Sequence, residues 1–242
     1  GTAGTIIGLL ALAGPLERPG LVDQAVSAGE TLLREAVVTR RGWSWPTPDR
    51  GGRRHLSGLG YGAAGIGWAL LELHDATGDS RFAAGAERAF DYELSWLNPR
   101  TGEWAADRLH GSPWPSSGSW CHGEAGLALV HRRAAEVLGS DAHRRAADLA
   151  VAATSRHLDR AHRDGIADLS LCHGASGAAE VAGDAALTQR LLGVALALDP
   201  AEWPNGVGHG NTPALFRGTA GIAWWLLRAH RSRVPSPVAL AR

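Results

Sequence analysis

Cys121-His122-Gly123 and Cys172-His173-Gly174 are the residues of this chain whose types can do chemistry. They contain its only two cysteines. Thiolate sulfur and imidazole nitrogen are ligands that suit Zn²⁺. Two sulfurs and one imidazole leave a tetrahedral ion one position short, and an open position separates a catalytic zinc from a structural one. Either His122 or His173 can be the nitrogen donor, since each follows a cysteine. The competing readings are two buried core thiols or a disulfide in a secreted domain. The repeated His-Gly weighs against both. A core thiol needs neither an adjacent imidazole nor a glycine that lets the chain turn tightly.

The bulk composition narrows the setting. A chain of 242 residues is long enough to bury a real core, and we read 1–242 as a single domain. Its 24 basic residues, all arginine, balance 24 acidic ones. No basic tract or stripe stands out, which argues against nucleic acid as a partner. Apolar runs such as residues 5–13 are too short to span a bilayer. No charged segment precedes them, so no signal peptide is expected. A reducing cytoplasm is the expected location, and there thiols stay free or metal-bound. The chain has no methionine and opens on Gly1, so it is expected to be a piece of something longer.

Positioning the triplets falls to a repeat. Gly-x-x-Gly recurs with first glycines at 1, 62, 123, 174 and 218. Each motif opens a segment apolar nearly all round, such as residues 66–73 and 222–228, as expected of helices buried on most sides. The following segment is amphipathic. Residues 81–96 place Phe82, Ala86, Ala89, Phe90 and Leu94 on one face, and residues 143–160 repeat the pattern. Thr77-Gly78-Asp79 should end one helix and cap the next. Alternating buried and amphipathic helices stack as a solenoid or close as a double ring, and nearly wholly buried inner helices favour the ring. The glycines would let inner helices and loops approach closely at one mouth, where Cys121 and Cys172 meet. Residues 42–59 and 98–120 break the helical pattern. They are rich in tryptophan and proline, and serve as substrate walls or as plugs between helices.

Trp120-Cys-His-Gly-Glu-Ala-Gly, Leu171-Cys-His-Gly-Ala-Ser-Gly and Arg217-Gly-Thr-Ala-Gly together resemble the LanC-like lanthionine cyclases. The likeness is nearest to the C-terminal cyclase domain of class II lanthipeptide synthetases. Gly62-Ala-Ala-Gly-Ile-Gly-Trp, Thr77-Gly-Asp-Ser-Arg-Phe, Tyr92-Glu93, Trp104 with Arg108, and Arg233-Val-Pro-Ser extend it over essentially the whole chain. The resemblance implies an all-α fold, an α/α toroid of inner and outer helix rings with zinc at one mouth. It implies Cys121, Cys172 and His173 as ligands, and leaves His122 beside the ion in an accessory or catalytic place. The implied reaction closes thioether rings in a dehydrated precursor peptide. A cysteine thiolate adds to dehydroalanine or dehydrobutyrine, and the enolate then takes a proton from an acid. The implied partners are that precursor peptide and an upstream dehydratase domain of the same longer chain.

Two departures qualify the likeness. The family usually has histidine where this chain has Tyr61. Tyrosine can donate a proton, but its unperturbed pKa of about 10 keeps it from shuttling protons near neutrality as imidazole does. His55, six positions earlier, offers an imidazole in its place, although a loop histidine is more often only solvated. The family also carries an aspartate before the motif that Gly1-Thr-Ala-Gly4 resembles, so the first helix pair or pairs of the toroid are expected to be missing at the N-terminus. Residues 5–12 and 222–227 would then be ragged, paired with each other, or buried in an oligomer. These departures sustain an alternative, a degenerate non-catalytic module that binds peptide or a partner domain. An α/α-barrel carbohydrate enzyme using Glu103 and Asp107 explains nothing about the duplicated Cys-His-Gly.

Overall fold

In a computed structural model, residues 1–47, 55–105, 118–205 and 212–238 are described. Arg108, Asp107 and Trp114 fall outside them.

The inner segments become α1 (Thr2–Ala13), α3 (Ala63–Thr77), α5 (Glu124–Leu138), α7 (Ala175–Ala182) and α9 (Thr219–His230). The amphipathic ones become α2 (Gly20–Glu35), α4 (Ser80–Leu94), α6 (Asp141–Asp164) and α8 (Ala185–Ala197). Each of α1, α3, α5 and α7 packs against the helix that follows it, and the five pack in succession, α1 on α3, α3 on α5, α5 on α7 and α7 on α9. Outer helices touch as α2 with α4 and α6 with α8. This is the α/α toroid architecture. Both residues 5–12 and 222–227 lie in regular helix rather than ragged chain. Ile6, Ile222 and Trp225 are buried, while Leu12, Trp224 and Leu227 stay exposed.

Local chemistry explains the pairing. On α3 both faces are apolar, and Ala63, Ala64, Gly65, Gly67, Ala69, Leu70, Leu71 and Leu73 are all buried. Gly78 ends the helix at φ 73° and returns its N–H to the His74 carbonyl. Asp79 caps α4 by accepting from the Arg81 N–H at 2.9 Å. On α4, Phe82, Ala86, Ala89 and Phe90 are buried as their spacing predicts, and Leu94 is half-buried. Glu93 is buried as well, which hydropathy alone would not place inside. Its Oε1 accepts from the amides of Gly58 at 3.1 Å and Ala64 at 3.0 Å, so two backbone donors offset the cost of desolvating it.

The tryptophan-rich stretches are not wholly loop. Their starts form two short antiparallel hairpins. In the first, β1 (Val37–Thr39) pairs with β2 (Gly42–Ser44); in the second, β3 (Leu97–Asn98) pairs with β4 (Glu103–Trp104). Trp45 and Trp104 are buried in the main core. Trp45 donates to the Leu32 carbonyl at 2.8 Å, so these two plug the helix layers rather than wall a site.

The Gly-x-x-Gly motif has a steric cause. A Cβ at Gly65, Gly126, Gly177 or Gly221 would lie 2.1, 2.1, 1.9 or 1.8 Å from the carbonyl oxygen of Leu59, Trp120, Leu171 or Leu215. Each is the residue that opens the turn before its own helix. No side chain fits there without moving backbone, so the turns sit directly on the inner helices. Away from this end, ion pairs join neighbouring inner helices. Arg133 of α5 meets Glu72 of α3 at 2.6 Å, and Arg228 of α9 meets Glu180 of α7 at 2.6 Å.

Candidate metal centre

The four turns before α3, α5, α7 and α9 align residue for residue: Leu59-Gly60-Tyr61-Gly62, Trp120-Cys121-His122-Gly123, Leu171-Cys172-His173-Gly174 and Leu215-Phe216-Arg217-Gly218. Backbone bonds join their second positions. The Gly60 N–H donates to the Cys121 carbonyl at 2.6 Å, Cys121 to Cys172 at 3.3 Å, and Cys172 to Phe216 at 2.8 Å. Gly60 must be small, since a Cβ there would lie 3.1 Å from that of Cys121. Gly58, at φ 87°, would carry a Cβ only 2.8 Å from the His122 Cα.

This chain of turns brings together residues 51 apart in sequence. One ligand atom each from Cys121, Cys172 and His173 lies within 4.8 Å of the others. Both cysteines are free thiols. Cys121 is buried, Cys172 half-buried and His173 exposed, so the group opens toward solvent on one side. Serine hydroxyls support the turns: Ser119 accepts from the His122 amide and Ser170 from the His173 amide, each at 3.4 Å. Asp168 accepts from the Ser170 amide at 2.6 Å. The sequence reading did not single out these serines, although Ser-x-Cys-His-Gly occurs twice.

The electrostatics fit a soft cation. The hydrogen bond from Cys172, then that from His173, holds the Cys121 thiol far below its ordinary range, at about 4, against the effect of burial. Cys172 is pushed up, first by its bond to Cys121 and then by burial. His173 is raised by its bond to Cys121. A thiolate is therefore already favoured within the group, and the protons on its partners are those a bound metal would displace.

His122 is not one of the three grouped donors. Its ring stacks on Tyr61, with centroids 5.7 Å apart and planes at 20°. Tyr61 is 68% exposed. His55 is elsewhere engaged, its Nδ1 2.9 Å from the Ser44 hydroxyl. Glu103 pairs with Arg160 at 3.1 Å.

Residues 1–190 match the family model described as lanthionine synthetase C-like protein. The chain belongs to that family. Among solved structures, nisin cyclase is similar at 18% identity with a TM-score of 0.58, over 74% of this chain. At that identity the likeness speaks for the fold alone. The chain spans about half of nisin cyclase, 47% of its length. No curated protein matches. Among the described residues, no helix is long and apolar enough to cross a membrane.

Proposed function

We propose that this lanthionine synthetase C-like chain is a zinc-dependent cyclase unit. It would close lanthionine or methyllanthionine rings in a dehydrated precursor peptide. The carrying observation is the meeting of Cys121, Cys172 and His173 within 4.8 Å from two separate turns. The donor set is that of a zinc site with a free fourth position. Zinc held there would supply the Lewis acidity that keeps a substrate cysteine as its nucleophilic thiolate.

The remaining chemistry falls to the chain. The substrate sulfur forms a bond to the β-carbon of the dehydro residue. The π pair moves to the α-carbon and its carbonyl, and a proton must reach the α-carbon to complete addition of the thiol. His122 and Tyr61 stand at the two mouth positions beside the triad. Their ring nitrogen and phenol oxygen are the donors we assign to that proton. The chain is read as one domain that works after a dehydratase domain of a longer cytoplasmic synthetase, as in the class II architecture.

Tyr61 favours a second reading. The family usually places histidine there, and a module that lost it would bind peptide without closing rings. Incubating the zinc-loaded protein, within its full-length chain, with dehydrated precursor separates the two. Loss of alkylatable thiol at constant peptide mass supports the cyclase. Zinc-bound protein that leaves every peptide thiol alkylatable would falsify it.

A further inference from the structure

The mouth has a fourth equivalent position, and it holds a cation. Arg217 occupies in the turn before α9 the place held by Tyr61, His122 and His173 in the preceding turns. The Cys172 amide bond to Phe216 at 2.8 Å fixes that turn against the metal-binding one. Gly218 keeps it there, since a Cβ would lie 2.0 Å from the Thr212 carbonyl oxygen. Arg217 is exposed and makes no hydrogen bond or ion pair with a described residue. Asp168, in the turn that carries Cys172 and His173, has Oδ1 engaged by the Ser170 amide. The neighbouring Phe216 ring packs on Trp120 with centroids 5.0 Å apart, both half-buried against the core.

We infer that Arg217 is a specificity-determining residue that selects substrate peptides bearing a carboxylate next to the reacting cysteine. A peptide cysteine aimed at the free position of the triad brings its neighbours toward the turn that carries Arg217. Arginine presents a planar fork that matches a carboxylate. An acidic side chain and a C-terminal carboxylate share that chemistry. This assignment rests on the cyclase reading above for the place of the cysteine.

The test uses zinc-loaded protein and four labelled peptides with a single cysteine. These carry Glu or Gln beside the cysteine, each with a C-terminal acid or amide, and each has a serine counterpart. Affinities come from fluorescence anisotropy. Wild type should favour the carboxylate peptides by about fivefold at low ionic strength, the size expected of an exposed charge pair, with the preference shrinking in high salt. Arg217→Gln should abolish the preference, and Arg217→Glu should invert it, both without loss of bound zinc. A preference that follows Glu identifies a side chain, and one that follows the free acid identifies a terminus; either supports the role. Equal affinity for all four peptides in wild type, or a preference that survives Arg217→Gln, overturns it. Failure of the cyclase reading shows differently: cysteine and serine peptides would bind alike.

Discussion

The Cys121 amide donates to the Cys172 carbonyl at 3.3 Å, so the two cysteines are held by main chain before any side chain acts. The bond belongs to a run of three that links four successive turns. Side-chain substitution at either cysteine should therefore leave the turns in place and remove only a ligand.

Zinc binding should accordingly depend on three side chains and not on a fourth. Cys121→Ala, Cys172→Ala and His173→Ala should each weaken zinc by more than about 100-fold, beyond the range typical of residues behind the ligands. His122→Ala should keep it stoichiometric. Metal analysis after dialysis against a weak chelator checks this, and loss of zinc in His122→Ala would sink the ligand assignment.

Ring closure should respond to the stacked pair without any change in metal. Tyr61→Phe and His122→Ala should lower the cyclisation rate by about 10²-fold or more where that group delivers the proton, while zinc content holds. If both variants match wild type, the proton comes from elsewhere.

Acid should weaken the fold through His131. It is fully buried, with Nδ1 3.0 Å from Nδ1 of His143. Burial first, and the neighbouring His143 second, pull it down to about 3. The unfolded chain takes up that proton near pH 6.5 and the folded one only near 3, so this contribution is present above pH 6.5 and drains away as pH falls toward 3. The loss is on the order of 1 kcal/mol per pH unit well inside that window. Urea titrations at pH 7 and 5 should show it, and His131→Phe should flatten that dependence.

Glycine substitutions should divide by what a Cβ meets. Gly126→Ala drives a carbon to 2.1 Å from the Trp120 carbonyl oxygen, one residue from Cys121. Backbone must move, so both melting temperature and zinc affinity should fall. Gly193→Ala, within α8 and with nothing inside 4 Å, should instead stabilise by about 0.5–1 kcal/mol. Intact zinc binding in Gly126→Ala would show that the turn tolerates displacement.

Much of this was legible in the primary structure because it is local. The apolar inner segments, the amphipathic α4 and the Gly78–Asp79 break follow from periodicity and capping, which act within a few residues. The duplicated Cys-His-Gly offered metal-ligating donor types, and the structure brings three of those donors within 4.8 Å of one another. The pairing of β1 with β2 and of β3 with β4 escaped, because those strands are two or three residues long and too short to show alternation. Buried Glu93 escaped because its partners are amides distant in sequence, one in a loop and one in the first turn of α3.

Which histidine joins the sulfurs could not be read from two identical triplets. Both follow a cysteine and precede a glycine. Tertiary structure distinguishes them by stacking His122 on Tyr61 and leaving His173 beside Cys121 and Cys172. The reason is order around the mouth. The backbone bonds join each turn to the next, so His122 faces the turn before it, and His173 is brought beside the cysteine of the turn before its own. The place of Arg217 in its repeat is legible beside Gly218, but only the backbone bond from Cys172 to Phe216 sets its turn next to that of Cys172.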